Sequence, residues 1–137
     1  MLKKLLIIKA LLANACLLAA AIVVSSATSA ETIYYVSSSL GNDQNNGLSK
    51  ESPWFSLKKI SSQTFEPGDV IKFKSGDTFF GSLDITSPGQ SGKPIFFTKY
   101  GGEVLPVIDA SSQDNGEHVT AIMIQDQDHI EISHLNI

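Results

Sequence analysis

The stretch Ile122-Met123-Ile124-Gln125-Asp126-Gln127-Asp128-His129-Ile130-Glu131-Ile132-Ser133-His134-Leu135-Asn136-Ile137 decides how the chain is read. Its aliphatic residues come in apolar-x-apolar pairs: Ile122 with Ile124, Ile130 with Ile132, Leu135 with Ile137. Alternation of this kind marks strands that bury one face. The corners between the pairs are very short. A hairpin must reverse the chain at every corner, whereas a coil of a parallel β-helix needs only a bend. Stacked coils then bury a continuous narrow core of Ile, Val, Leu and Phe.

Working back toward the N-terminus, the same kind of segment recurs at Ile33–Ser37, Val70–Lys74, Thr78–Phe80, Leu83–Ile85, Ile95–Tyr100, Val104–Asp109 and Ala121–Gln125. Gly, Pro, Asn, Asp and Ser punctuate these runs, as in Ser75-Gly76-Asp77, Gly101-Gly102 and Asp114-Asn115-Gly116. Short strands with turn signals first suggest a sandwich or barrel, but the connections vary too much in length for regular hairpins. The reading is all-β, a right-handed parallel β-helix with an N-terminal cap and about two coils. The first coil is Leu83–Ile85, Ile95–Thr98 and Val107–Asp109; the second is Ile122–Ile124, Ile130–Ile132 and Leu135–Ile137. One short helix is predicted, with Ser52 as N-cap, Pro53 in the first turn and Trp54, Leu57 and Ile60 on its apolar face. Phe65 is expected to pack beneath it, and Glu66-Pro67-Gly68-Asp69 to turn the chain afterwards.

The composition divides at Ala30. Residues 1–30 contain Lys3, Lys4 and Lys9, no acid, and a long apolar run that ends in Ser25-Ser26-Ala27-Thr28-Ser29-Ala30. That is the layout of a secretory signal peptide, with cleavage expected after Ala30 or Ala27. The uncharged stretch 10–24 is shorter than the roughly 20 residues that span a bilayer, so contact with a membrane is expected only through this leader. Cys16 lies within the apolar run and lacks a lipobox, so the exported chain is thiol-free. Residues 31–137 hold seven lysines and all 14 acids, a net charge of 7 − 14 = −7. The whole chain has no arginine. Clustered Lys and Arg are what draw a protein to phosphate backbones, so nucleic acid is excluded as a partner. The expected location is extracellular or periplasmic.

The order of motifs resembles the secreted right-handed parallel β-helix superfamily, the pectate lyase-like proteins. The resemblance rests on Tyr34-Tyr35-Val36-Ser37, Gly41-Asn42-Asp43, Asn46-Gly47, Ser52-Pro53-Trp54-Phe55-Ser56-Leu57 and Pro67-Gly68-Asp69-Val70-Ile71-Lys72-Phe73-Lys74-Ser75-Gly76. It continues through Gly92-Lys93-Pro94-Ile95, Tyr100-Gly101-Gly102 and Pro106-Val107-Ile108-Asp109 to Asp128-His129-Ile130-Glu131-Ile132. It implies a starting strand, a capping helix and then three-strand coils. It also implies a carbohydrate-active protein, a polysaccharide lyase or hydrolase when full length, acting as a monomer on a polysaccharide that includes uronate-containing polymers. The alternative is a non-catalytic surface or adhesin-type β-helix; a small β-sandwich carbohydrate-binding module is a third reading. A solenoid needs about three repeats and a closed end. Residues 31–137 are therefore expected to be the N-terminal part of a longer domain and to be inactive alone.

The chemistry-bearing residues are few. In lyases of this superfamily calcium or a basic group neutralises the uronate carboxylate, and a Lys or Arg removes the sugar proton. Asp126 and Asp128 are the calcium candidates, since oxygen ligands suit that ion, although a solvated corner explains them as well. No other cofactor is indicated. His129 and His134 flank Ile130–Ile132. Asn42-Asp43-Gln44-Asn45-Asn46-Gly47 has the composition of a calcium loop, but it lacks a bidentate Glu at the twelfth position and is expected to be a turn. No lysine stands beside an acid cluster that would lower its pKa, and no catalytic residue is assigned. Among the aromatic residues Tyr34, Tyr35, Trp54, Phe55, Phe79, Phe80, Phe96, Phe97 and Tyr100, each strand doublet is expected to put one ring inside and one outside.

Overall fold

Among the described residues, eight short strands carry the fold: β1 (Ile33–Val36), β2 (Val70–Lys74), β3 (Thr78–Phe80), β4 (Leu83–Ile85), β5 (Ile95–Tyr100), β6 (Val107–Asp109), β7 (Ile122–Ile124) and β8 (Ile130–Ile132). The computed structural model describes residues 30–111 and 120–137. The signal-peptide reading of 1–30, apart from Ala30, lies outside the described residues, as does the turn at Asp114-Asn115-Gly116.

The strands form three sheets, with orders β1-β2-β5-β8, β3-β6 and β4-β7. Every pairing between them is parallel. After β1 the chain visits the three sheets in turn, completes two circuits, and begins a third with β8. Each strand lies directly over its counterpart one circuit earlier: Ile71 pairs with Phe97, Phe79 with Ile108, and Leu83 with Ile122. The first circuit therefore starts at Val70, earlier than the apolar pairs alone suggested. Four expected strands are shorter than read: Ile33–Ser37 ends at Val36 and Ala121–Gln125 narrows to Ile122–Ile124. The 104–109 run pairs only over Val107–Asp109, and Leu135–Ile137 contributes a single bridge, Asn136 to Val107.

Inward and outward positions alternate as a pleat requires. Leu83 and Ile85 are buried around exposed Asp84, and Phe79 is buried beside exposed Phe80. Phe73, Phe79, Phe97, Ile71, Leu83, Ile95 and Ile108 fill the interior. Burying a side chain of this size contributes about 1.5–3 kcal/mol. Stacking adds specificity, with Phe73 and Phe79 edge to face at 5.2 Å.

The end of the stack at β1 is closed by the segment 38–65. Its helix, α1, spans Leu57–Ser61 and is capped by Ser56, whose hydroxyl accepts the Lys59 N–H at 3.0 Å. This corrects the predicted start at Ser52-Pro53. Trp54 is not helical. Its N–H donates to the Tyr35 carbonyl and its carbonyl accepts from the Ser37 N–H, so it pairs with β1 and covers that strand's open edge. The indole stacks on the Tyr34 ring at 4.9 Å, and Phe65 meets the other edge of Tyr34 at 5.3 Å. Gly47 sits beneath the indole with φ of 74°, and a Cβ there would come within 2.6 Å of the ring. Leu57 and Ile60 turn into the core as expected, while Lys58 is exposed.

Candidate functional site: the outward face of the four-stranded sheet

The parallel register lines up outward residues into rows that cross the strands. One row is Tyr35, Lys72 and Thr98, in direct register. Ser133 extends it, because its hydroxyl lies 3.2 Å from that of Thr98. The inward neighbours Ile71, Phe73 and Phe97 are buried, so these polar and aromatic groups face solvent. On one side of the row Lys74 is in register with Tyr100. The Tyr100 ring meets Tyr35 edge to face at 5.1 Å, and the Lys50 ammonium stands 5.9 Å from the Tyr100 ring centre. On the other side, Val70, Phe96 and Glu131 are in register. There Phe96 borders an open groove of about 370 Å³ that Glu31, Pro67, Lys93 and Pro94 also line.

Charges of both signs occur on this face, with Lys72 in the row, Lys74 and Lys50 to one side and Glu131 and Glu31 to the other. Burial, followed by the nearby negative charge of Asp77, pushes the Tyr100 phenol up to about 12. It therefore remains a neutral hydrogen-bonding group across the physiological range. Lys74 is bound to Asp77 at 3.0 Å, whereas Lys72 points outward in the row. Hydroxyls, ammonium groups and aromatic rings in straight rows can hydrogen-bond and stack on a ligand. Nothing in the set is a carboxylate pair for acid–base hydrolysis.

The acids and imidazoles singled out from the sequence fall elsewhere, and for structural reasons. Asp126 and Asp128 are exposed at the corner between β7 and β8. Among the described residues no group of three or more His, Cys, Asp or Glu side chains could hold a metal ion. Asp126, His129 and His134 are the three described non-glycine residues with positive φ, at 56–57°. They turn the chain at corners in the left-handed region, which Asp, Asn and His enter more readily than other side chains. Their spacing follows from the circuit. The carbonyls of Asp128 and His129 accept from the N–H groups of Gly89 and Ile95 and tie this corner to the circuit below.

The Asn42–Gly47 segment is a turn, as expected, and its acid is structural. The Asp43 carboxylate accepts the Phe55 and Ser56 N–H groups at 2.8 and 2.9 Å and the Ser56 hydroxyl at 2.6 Å. Burial pushes this carboxyl up, but these donors outweigh burial and hold it below the usual range. Asp69 receives the N–H groups of Thr32 and Glu66 in the same manner. Of the aromatic residues, Trp54, Phe79 and Phe97 are buried and Tyr34 packs against the same core, whereas Tyr35, Phe55, Phe80, Phe96 and Tyr100 retain exposed surface. The doublets divide inside from outside as predicted. Sequence reasoning had no means of finding the row of Tyr35, Lys72, Thr98 and Ser133, because only the stacking register brings those residues together.

No family model matches the chain. It is similar to a lacto-N-biosidase of Bifidobacterium longum subsp. longum, 31% identical in an alignment 133 positions long that takes in 80% of this chain and 8% of that protein. It is also similar to the uncharacterized protein YwoF of Bacillus subtilis, 38% identical over 104 residues, covering 75% of this chain and 21% of that one. Among solved structures, the GH136 lacto-N-biosidase of Eubacterium ramulus superposes with a TM-score of 0.67 and 27% identity, over 76% of this chain and 20% of that one. Its selenomethionine derivative gives 0.64 and 26%. The chain thus spans about a fifth or less of the length of each relative. It shares its parallel-stranded fold with part of a GH136 lacto-N-biosidase, a carbohydrate-active protein.

Proposed function

We propose that the chain is the capped N-terminal part of an exported right-handed β-helix that acts on carbohydrate as a glycosidase. The observation that carries this reading is the agreement between the three-sheet parallel circuit and the GH136 lacto-N-biosidase structure over 76% of the chain. A fold hosts many activities. Sequence similarity to a second protein named lacto-N-biosidase favours hydrolysis over elimination.

In this reading the described residues bind and position the glycan, while the acid–base pair belongs to other parts of the protein. A glycosidase general acid needs a carboxyl raised toward neutrality. Asp43, Asp77 and Asp109 are each shifted downward. They suit capping and turn formation. The rows of Tyr35, Lys72, Thr98 and Ser133 supply stacking faces and hydrogen bonds along an extended ligand, a use to which the long face of a solenoid lends itself.

The test is glycan binding by the full chain, followed by hydrolysis assays on the complete protein. Oligosaccharides that end in a lacto-N-biose unit are expected to bind, and the complete protein is expected to release the disaccharide. Unsaturated products from pectate or alginate would instead identify a lyase and overturn the hydrolase assignment. An absence of binding to any glycan would overturn the carbohydrate reading itself.

A further inference from the structure

We infer that the slot between Phe55 and Phe80, away from the four-stranded sheet, is a separate subsite for one neutral pyranose ring of a glycan. The inference rests on the carbohydrate reading above and adds a second surface to it. Phe80 points outward from β3 and is 66% exposed; Phe55, just before α1, is 48% exposed. Their two rings border an open slot whose floor is Leu57 and Phe79, each 2% exposed. The hydroxyl residues Ser38 and Thr78 stand at its rim. Ser56 also lines it, but its hydroxyl is already spent between Asp43 and the Lys59 N–H.

The slot is held rigid. Phe79 is locked edge to face against Phe73, and Asp43 clamps the backbone N–H groups of Phe55 and Ser56. A preorganised surface binds with less ordering cost. Exposed aromatic faces carry a negative quadrupole that attracts polarised C–H groups, and the C–H face of a pyranose supplies them. The rim hydroxyls match the sugar's own hydroxyls. None of the residues lining the slot is ionisable, and residues 31–137 carry a net −7. A uronate would find no cation there and would be repelled by the chain's overall charge. A neutral sugar meets neither obstacle. With about 100 Å³ of space, the slot takes one ring laid across it and does not enclose a chain.

The experiment measures binding of lacto-N-tetraose, cellohexaose and polygalacturonate to the full chain and to Phe55→Ala, Phe80→Ala and Phe80→Trp variants, with sedimentation velocity on each. Both alanine variants are expected to weaken binding of a neutral oligosaccharide about tenfold, a loss of the size one buried contact carries. Phe80→Trp is expected to retain binding, and polygalacturonate to be indifferent to all three. Unchanged affinity in both alanine variants overturns the inference. So does a dimer that Phe80→Ala dissolves, which would make the patch a self-association surface. If Lys72→Ala and Tyr100→Ala abolish binding while the phenylalanine variants do not, the slot is rejected and the carbohydrate reading stands. If the unaltered chain binds none of the sugars, both fall.

Discussion

The Ser37 hydroxyl donates to the Asp77 carboxylate across 2.7 Å, joining residues forty positions apart in the sequence. The same carboxylate accepts the Ser39 N–H at 3.2 Å, the Ser39 hydroxyl at 2.8 Å and the Lys74 ammonium at 3.0 Å. One buried acid thus fastens the loop after β1 to the turn between β2 and β3. Asp77→Ala would leave several of these donors unsatisfied. The expected loss is about 2–3 kcal/mol in denaturant unfolding, whereas exposed Asp84→Ala should change little.

The same carboxylate sets an acid limit. Burial pushes the Asp77 carboxyl up, but the donors from Ser37, Ser39 and Lys74 outweigh it and hold the group below its usual 3.8. A carboxyl whose pKa is depressed by folding stabilises the fold above its unfolded pKa, and that contribution disappears as pH falls through the folded value. Thermal unfolding from pH 7 to 2 should therefore show a nearly flat midpoint down to about pH 4 and a fall below it. The fall should be shallower in Asp77→Asn, measured from that variant's own lower starting point. Equal acid slopes in the two proteins would remove Asp77 from this role.

Tyr100 sets the alkaline side. Its phenol is raised from 10.0 to about 12, by burial first and then by the charge of Asp77. A group whose folded pKa is raised contributes stability that is complete below its unfolded pKa and is lost as pH climbs toward the folded value. Stability should therefore decline between about pH 10 and 12, a window that follows from the shift itself. Tyr34 is also raised, by burial and by the charge of Asp69, so ultraviolet titration should show a late tyrosine fraction that shrinks, without vanishing, in Tyr100→Phe.

His129 and His134 are corner residues with positive φ. Glycine reaches this region without the Cβ penalty. His134→Gly is therefore expected to hold stability or raise it by up to about 1 kcal/mol. His134→Val, which puts a β-branched side chain into the left-handed region, should cost about 1–2 kcal/mol. A general-acid or metal role for these imidazoles predicts the reverse pattern, in which glycan binding or metal affinity is lost while stability is unchanged. Guanidine unfolding and isothermal titration with a neutral oligosaccharide and with Zn²⁺, the ion that suits imidazole ligands, separate the two.

Export is a processing prediction. The small-residue run that ends at Ala30 is expected to be cut there or after Ala27. Intact-mass analysis of protein from the culture medium or periplasm should find a chain starting at Glu31 or Thr28. A chain starting at Met1 and held in the membrane fraction would defeat the prediction.

The strands were legible because the core is thin. Each three-residue segment has to alternate, and Leu83-Asp84-Ile85 displays that alternation locally, whereas in Thr78-Phe79-Phe80 both rings are apolar and only the pleat puts Phe79 inside and Phe80 outside. The stacking of Leu83 on Ile122 and Ile95 on Ile130 could likewise be read from matching apolar pairs. The helix start could not. Ser52-Pro53 has the local chemistry of a cap, but Trp54 is captured by β1 through backbone hydrogen bonds that only the folded chain makes. The actual cap, Ser56, depends on Asp43, thirteen residues earlier. Of the acids and imidazoles, Asp126, Asp128 and His129 lie at the corner before β8 and His134 at the corner after it, and the positive φ of Asp126, His129 and His134 gives them a backbone role. The row of Tyr35, Lys72, Thr98 and Ser133 combines residues from four segments. Nothing in any one segment marks its member.

The direct register of the four-stranded sheet also makes its outer face a ruler. Each circuit advances the row by one strand spacing, about 4.8 Å, so Tyr35, Lys72, Thr98 and Ser133 stand as graduations at equal intervals. Side chains on this face can be exchanged one graduation at a time, because the inward residues that hold the circuits together lie on the opposite side of the pleat. Selection could therefore rewrite what the ruler presents to solvent, while the inner Ile, Leu and Phe that keep its intervals constant stay unchanged.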